Sequence, residues 1–295
     1  KKIYMVTDEN LAKDDNDPVL AHEIVHALQD QHFDLTAMVD IENDSDRRRA
    51  VVSLVEGDAT LVQGIYFNQF LTRAEQNQLQ LDSEVSMTFL NAPMFIQETL
   101  LFPYQYGSTF ARALFDRGGW DLINQALMDP PQSTAEILHP DLYLSKEELP
   151  QLVQFPDLAS LMGPTWVLEM EDTVGEFVLR LHLSTELHPL EIDDAARGWA
   201  GDRLVYLKDA DGAYCLIIKI VWQDNEDGNE FFETYLGYLE RRGLTDQDLI
   251  ETENKARYWR NQPEGVFYMG FEGDQTLLIW ASTTSILRQL VELAW

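Results

Sequence analysis

Cysteine is nearly missing from this chain of 295 residues. Cys215 stands alone, so no intrachain disulfide can form, and its setting in Ala-Tyr-Cys-Leu-Ile-Ile reads as that of a small buried hydrophobe. Positive charge is scarce as well: 21 Lys and Arg face 51 Asp and Glu, a formal net charge of −30. A surface so short of cations is poorly suited to neutralising phosphates, which argues against nucleic acid, and equally against an anionic membrane, as a partner. The same acidity would suit solubility in salt or the attraction of cationic substrates, and composition does not separate the two. Long apolar runs are also lacking. Apolar residues make up 45% of the chain, yet nowhere do they approach the roughly eighteen in succession that a transmembrane helix needs. The chain starts at Lys1 rather than Met and runs at once into strand-like Ile3–Val6. The expectation is that something upstream has been removed, a signal peptide or lipid anchor being the candidates; either would suit an extracytoplasmic location, and the sequence leaves the compartment open.

What is present divides into two stretches of different character. In the first, Asp17-Pro18 opens a helix, Asp as N-cap and Pro at the first helical position, and Leu20, Ile24, Val25 and Leu28 give it an apolar face through about Gln31. An acidic loop follows, then a second long helix from about Arg48 to Leu71. Signals from Arg73 to His139 stay helical, punctuated by Pro93, Pro103 and Gly118-Gly119, and Ser133-Thr-Ala-Glu136 has the capping-box pattern of a short helix ending near His139. Beyond about Phe155 strands enter: Trp166–Met170, then Arg203–Leu207 paired with Tyr214–Trp222 across Asp209–Gly212, then Val266–Phe271 with Thr276–Ala281. Helices are expected at Glu176–Leu183, at Glu230–Arg242 closed by Gly243, and from Thr284. The predicted class is α+β, with a mostly helical domain over 1–150 and an α+β domain on an antiparallel sheet over 151–295.

The chemistry is concentrated in the first helix. His22-Glu23-Ile24-Val25-His26 is an H-E-x-x-H pattern. On a helix, positions i and i+4 share a face, so His22 and His26 can bind one metal ion while Glu23 flanks it. A catalytic zinc site needs a third protein ligand and leaves the fourth position to water. Glu56, in Val55-Glu-Gly-Asp-Ala59 on the next helix, is the candidate. A glutamate within an apolar helical run is costly to bury without a partner, and a metal is a suitable one. The plainer alternative is a solvated acid on the outer face. Gly57, beside it, would let the two helix backbones approach closely.

The spacing H-E-x-x-H-x29-E resembles the gluzincin metallopeptidases, the thermolysin-like group. Ala21-His-Glu-Ile-Val-His-Ala-Leu-Gln-Asp-Gln-His-Phe-Asp, Phe115-Asp-Arg-Gly-Gly-Trp, Pro130-Pro-Gln-Ser-Thr-Ala-Glu-Ile-Leu-His-Pro and Gly198-Trp-Ala-Gly-Asp-Arg are similar to strings in uncharacterised bacterial and archaeal gluzincin-like proteins. The resemblance implies a thermolysin-like fold and zinc as cofactor, but brings no known substrate. It also suggests that Ile3–Val6 is an edge strand able to pair with an extended peptide, an ordinary terminal strand being the alternative.

Roles follow from that chemistry. Zinc would lower the pKa of a bound water towards about 7 and polarise the scissile carbonyl, with Glu23 as general base. A donor is needed for the developing oxyanion, and Tyr104, Tyr106 and His139 are the candidates. Metal-bound histidines usually give their second ring N–H to a carboxylate or carbonyl, for which Asp58 and Asp30 are the candidates, Asp58 favoured by its place beside Glu56. His32, His182 and His188 show no metal spacing. The leading expectation is a zinc-dependent hydrolase acting on a peptide or protein substrate. Its rival is a catalytically silent protein that keeps the fold for binding or assembly, with the second domain covering the cleft. An intact Glu23 favours the enzyme.

Overall fold

The computed structural model describes residues 17–82, 86–146, 150–244, 249–253, 256–261 and 265–295. The expected strand Ile3–Val6 lies outside them. The chain separates into two compact units, one drawn from Lys1–Ile41 and Arg47–Ser145, the other from Glu42–Asp46 and Lys146–Trp295. Together they make an α+β protein, with helices in the first unit and an antiparallel sheet in the second.

The first unit contains α1 (Asp17–Phe33), α2 (Leu35–Val39), α3 (Ser45–Phe70), α4 (Arg73–Asp82), α5 (Met87–Leu90), α6 (Met94–Met128), α7 (Thr134–Leu138) and α8 (Pro140–Ser145). α3 is its central element: Ala50, Val51, Leu54, Val55, Ala59 and Leu61 are all buried. The chain turns back after α1, and α1 runs antiparallel to α3, as the contacts Tyr66–Asp17, Glu56–His22 and Val55–Gln29 show by their descending order. α6 crosses α3 at glycine. A Cβ on Gly57 would lie 2.1 Å from the Gly107 carbonyl oxygen, and one on Gly107 would lie 2.1 Å from that of Ser53. The close approach expected of Gly57 therefore exists, but its partner is α6 rather than α1.

Three local expectations are corrected. The apolar face expected on α1 is largely uncovered: Ile24 and Leu28 are 45% and 48% exposed, and α1 buries only Pro18 and Gln29. α6 continues through Pro103 instead of stopping there. Phe102, Pro103, Gly107, Phe110, Ala111 and Leu114 are all buried, and that packing outweighs the backbone hydrogen bond that proline forfeits. The helical path does break at Gly119, whose φ of 62° suits glycine. Finally, Ser133 is the N-cap of α7 but makes no side-chain cap, and the Glu136 carboxylate accepts from the Gln132 backbone N–H rather than from that of Ser133.

The second unit runs α9 (Leu158–Met162), β1 (Trp166–Asp172), α10 (Gly175–Leu183), α11 (Pro189–Arg197), β2 (Trp199–Asp209), β3 (Tyr214–Trp222), α12 (Asn225–Arg241), β4 (Leu249–Glu253), β5 (Ala256–Asn261), β6 (Gly265–Glu272), β7 (Gln275–Ala281) and α13 (Thr284–Ala294). The strands form one antiparallel sheet in the order β1-β2-β3-β7-β6-β5-β4. Alternate residues along each strand face opposite sides, so two cores result. Val205, Leu207, Cys215, Ile217, Ile279 and Tyr268 pack with Leu287 and Leu290 of α13, which confirms Cys215 as a buried apolar residue. The other face carries Trp222, Phe267 and Phe271 under Phe231, Phe232 and Tyr235 of α12. α12 starts five residues earlier than the apolar pattern predicts, because Asp224 caps it by accepting from the Glu226 and Asp227 N–H groups, an arrangement worth about 1 kcal/mol. The segment Glu42–Asp46 belongs to this unit through Ser45, whose N–H and hydroxyl both donate to Asp172.

Candidate metal centre

α1 and α3 bring His22, His26 and Glu56 to one point. His22 Nε2 lies 2.9 Å from His26 Nε2 and 3.2 Å from Glu56 Oε2, and His26 Nε2 lies 3.4 Å from the same oxygen. Among the described residues this is the one group of three or more His, Cys, Asp or Glu that could hold a metal ion. The side chains keep 12%, 21% and 20% of their surface exposed, so the point they share is covered without being sealed.

The hydrogen-bond network decides which atoms His26 presents. Gln29, 2% exposed, lies one turn on from His26 along α1. Its amide nitrogen donates to Asp58 Oδ2 at 2.8 Å and to the Val55 carbonyl at 3.1 Å. Both acceptors require the NH2 group on that side, so Gln29 Oε1 must face His26 Nδ1, 2.8 Å away. The carbonyl can only accept. His26 Nδ1 therefore carries the proton, and its Nε2 in the neutral ring offers a lone pair. His22 has no such guide: its Nδ1 is buried with no hydrogen-bond partner.

Two acceptors, His26 Nε2 and Glu56 Oε2, thus converge on a third ring nitrogen, which can bring at most one proton. A cation resolves that crowding. A zinc ion bonded at about 2.0–2.2 Å to three donors at tetrahedral angles separates them by about 3.3 Å. The observed 2.9, 3.2 and 3.4 Å bracket that spacing, and two imidazoles with a carboxylate suit zinc. The residues fit the metal that the sequence pattern implies.

Without a metal, protons partly take its place. Burial lowers the basicity of His26, but hydrogen bonds with Glu56 and Gln29 and the charges of Glu56 and Glu23 more than reverse this, so its pKa is raised. Burial likewise opposes ionisation of Glu56, yet the hydrogen bonds and charges of the two histidines hold its carboxyl at about 2. Asp58 is raised mainly by burial, with the Gln29 hydrogen bond opposing.

Glu23 is exposed on α1, close enough for its charge to act on both His26 and Tyr104. Tyr104, on α6, stacks loosely on His22, with ring centroids 6.4 Å apart and planes 28° from parallel. Burial first, then the Glu56 and Glu23 carboxylates, raise its phenol pKa, so the hydroxyl stays protonated and able to donate. The other candidates make contacts of their own. Tyr106 stacks on Phe102, and His139 closes α7 with its backbone N–H on the Ala135 carbonyl. The second-ring partner of His26 is neither Asp58 nor Asp30. Gln29 makes that contact and Asp58 supports Gln29 from behind. His182 pairs with the Tyr235 hydroxyl, and His188 caps α11.

A family described as a domain of unknown function (DUF8575) matches residues 166–291. The match lies wholly in the second unit, from β1 into α13, and includes none of the three converging side chains. No curated protein and no solved structure matches the chain.

Proposed function

We propose that the first unit is a zinc-dependent hydrolase of the gluzincin type, acting on peptide bonds. The observation that carries this reading is the convergence of His22 Nε2, His26 Nε2 and Glu56 Oε2 within 3.4 Å of one another, with the lone pair of His26 directed there by Gln29. When bound, zinc supplies an acidified water and a Lewis acid for the substrate carbonyl.

The chain's own residues do the rest. His22, His26 and Glu56 are the ligands. Glu23, exposed and one residue from His22, takes the proton from the attacking water and returns it to the leaving amine. Tyr104 keeps its proton and donates to the oxyanion as it develops. Gln29 holds His26 in the ligating tautomer, braced by Asp58 and Val55.

Gln29→Leu removes the acceptor for His26 Nδ1–H at nearly constant volume. Zinc affinity, measured by competition with a chromogenic chelator, is expected to fall about 10- to 100-fold. An unchanged affinity would leave Gln29 with a packing role only. The function itself is tested by metal analysis of the purified protein and a peptide-library digest. Close to one zinc per chain is expected, with cleavage abolished by a chelator and restored by zinc. A protein that takes up no zinc, or whose cleavage survives full removal of metal, would refute the reading.

A further inference from the structure

The second unit holds a cavity that the metal centre does not use. Its floor is the α12 face of the sheet. Strand register places Tyr206 opposite Leu216, Leu216 opposite Trp280, and Trp280 opposite Phe267, so these four form one row across β2, β3, β7 and β6. Phe267 is fully buried against Tyr235, Trp259 and Trp280, so the open part of the row is Tyr206, Leu216 and Trp280, which are half-buried. The cavity's roof is made by His182 of α10, Tyr235 and Tyr238 of α12, and Arg242, the residue that caps α12 at its C-terminus. The space enclosed is about 640 Å³. Ligand pockets commonly fall in the range of about 300–1,000 Å³, so one molecule of two or three fused or linked rings would fit.

Charge narrows the class. In a chain with 51 acidic residues, no carboxylate among the described residues lines this cavity. His182 is held neutral, its pKa lowered to about 4 by burial and by the nearby Arg242, and its Nε2 is engaged with the Tyr235 hydroxyl. Among the described lining residues, Arg242 is then the one full charge. Its side chain is 55% exposed and meets Glu186 through one nitrogen at 3.4 Å, an exposed and loose pair of little energetic weight. A guanidinium has five N–H donors in a planar fork that matches a carboxylate or sulfonate. Aromatic walls with a cation at the margin complement a flat anion.

We propose that this cavity is a binding site for a small planar aromatic molecule bearing one anionic group, the rings lying on Tyr206, Leu216 and Trp280 and the anion meeting Arg242. The site is independent of the metal centre and stands whether or not the first unit is a peptidase. All of its lining residues fall within the segment that the family of unknown function matches.

The test uses the full chain and two fluorescent probes of the same shape, 8-anilinonaphthalene-1-sulfonate and the uncharged N-phenyl-1-naphthylamine. The sulfonate is expected to bind saturably with a stoichiometry near one. Arg242→Gln, at an exposed position, should weaken it by about tenfold, the loss expected for a charge-assisted hydrogen bond, and leave the uncharged probe unaffected. Leu216→Trp, which fills the cavity, should abolish binding of both while the melting temperature holds. No saturable binding to the native protein, or undiminished binding in a folded Leu216→Trp, overturns the site. Equal weakening of both probes by Arg242→Gln overturns the anionic half of the assignment.

Discussion

Glu23→Gln should leave zinc bound and the chain folded while peptide cleavage falls by about 10²- to 10⁴-fold, the usual contribution of a general base. The separation of the two readouts is what makes the variant informative. Glu23 is exposed and contributes no atom to the convergent group, so the ligands His22, His26 and Glu56 keep their positions in the variant. An amide of the same shape cannot accept the proton of the attacking water. Its electrostatic side effects are small and of known sign: the Glu23 charge helps to raise the pKa of both His26 and Tyr104, so its loss lowers both slightly and, at His26, reduces proton competition with the metal. Zinc affinity should therefore hold or rise a little. Loss of zinc together with activity would mean that Glu23 is structural. A wild type that binds zinc but cleaves nothing would favour a role in binding or assembly, and equal cleavage by both proteins would point to a contaminating protease.

The pairing of His22 with His26 was legible in the sequence because helical periodicity is a local rule. His22 and His26 are four apart, and that alone places them on one face. Glu56 was legible for a different reason, as an acid in an apolar run that would need a partner. Gln29 was not, although it stands three residues from His26. A glutamine near the end of an amphipathic helix has no property that distinguishes a buried brace from a solvated side chain until α3 arrives with Asp58 and the Val55 carbonyl. The same limit applied to the oxyanion donor. Choosing among Tyr104, Tyr106 and His139 requires knowing where α6 lies against α1. That depends on α6 passing unbroken through Pro103, which local rules speak against.

The exposure of the apolar face of α1 was not legible for a related cause. The positions of Ile24 and Leu28 repeat at helical spacing, but periodicity says only that they share a face, not that the face is covered. In the second unit the hairpins β2–β3 and β6–β7 were legible from alternation and the Asp-Gly and Gly-Asp turns, whereas β4 and β5 were missed. Arg257-Tyr-Trp-Arg260 and Leu249-Ile-Glu-Thr-Glu253 mix charged and apolar residues without a clean alternation, as strands at the far edge of a sheet can.

Two glycines on α3 should respond to the same substitution with opposite signs. Gly64 has nothing within 4 Å of where a Cβ would stand. In Gly64→Ala the gain is therefore helix propensity alone, up to about 1 kcal/mol, and the melting temperature of the first unit should rise by about 2–4 °C. At Gly57 the same methyl would sit 2.1 Å from the Gly107 carbonyl oxygen and 2.3 Å from its carbon. Both are backbone atoms of α6, so no side chain can swing aside, and relief requires the two helices to part. Overpacking of this kind costs about 1–3 kcal/mol or more, which outweighs the propensity gain. Gly57→Ala should thus lower the melting temperature by several degrees. Because Glu56 is the preceding residue and Tyr104 lies one turn before Gly107, parting α3 from α6 also disturbs the carboxylate and the phenol together. Zinc affinity should fall in Gly57→Ala and stay at the wild-type value in Gly64→Ala, as read by calorimetric melting and chelator competition on both proteins. Equal melting temperatures for the two variants would mean that α3 and α6 do not cross in backbone contact, and that the glycine pair has no part in holding Glu56 in place.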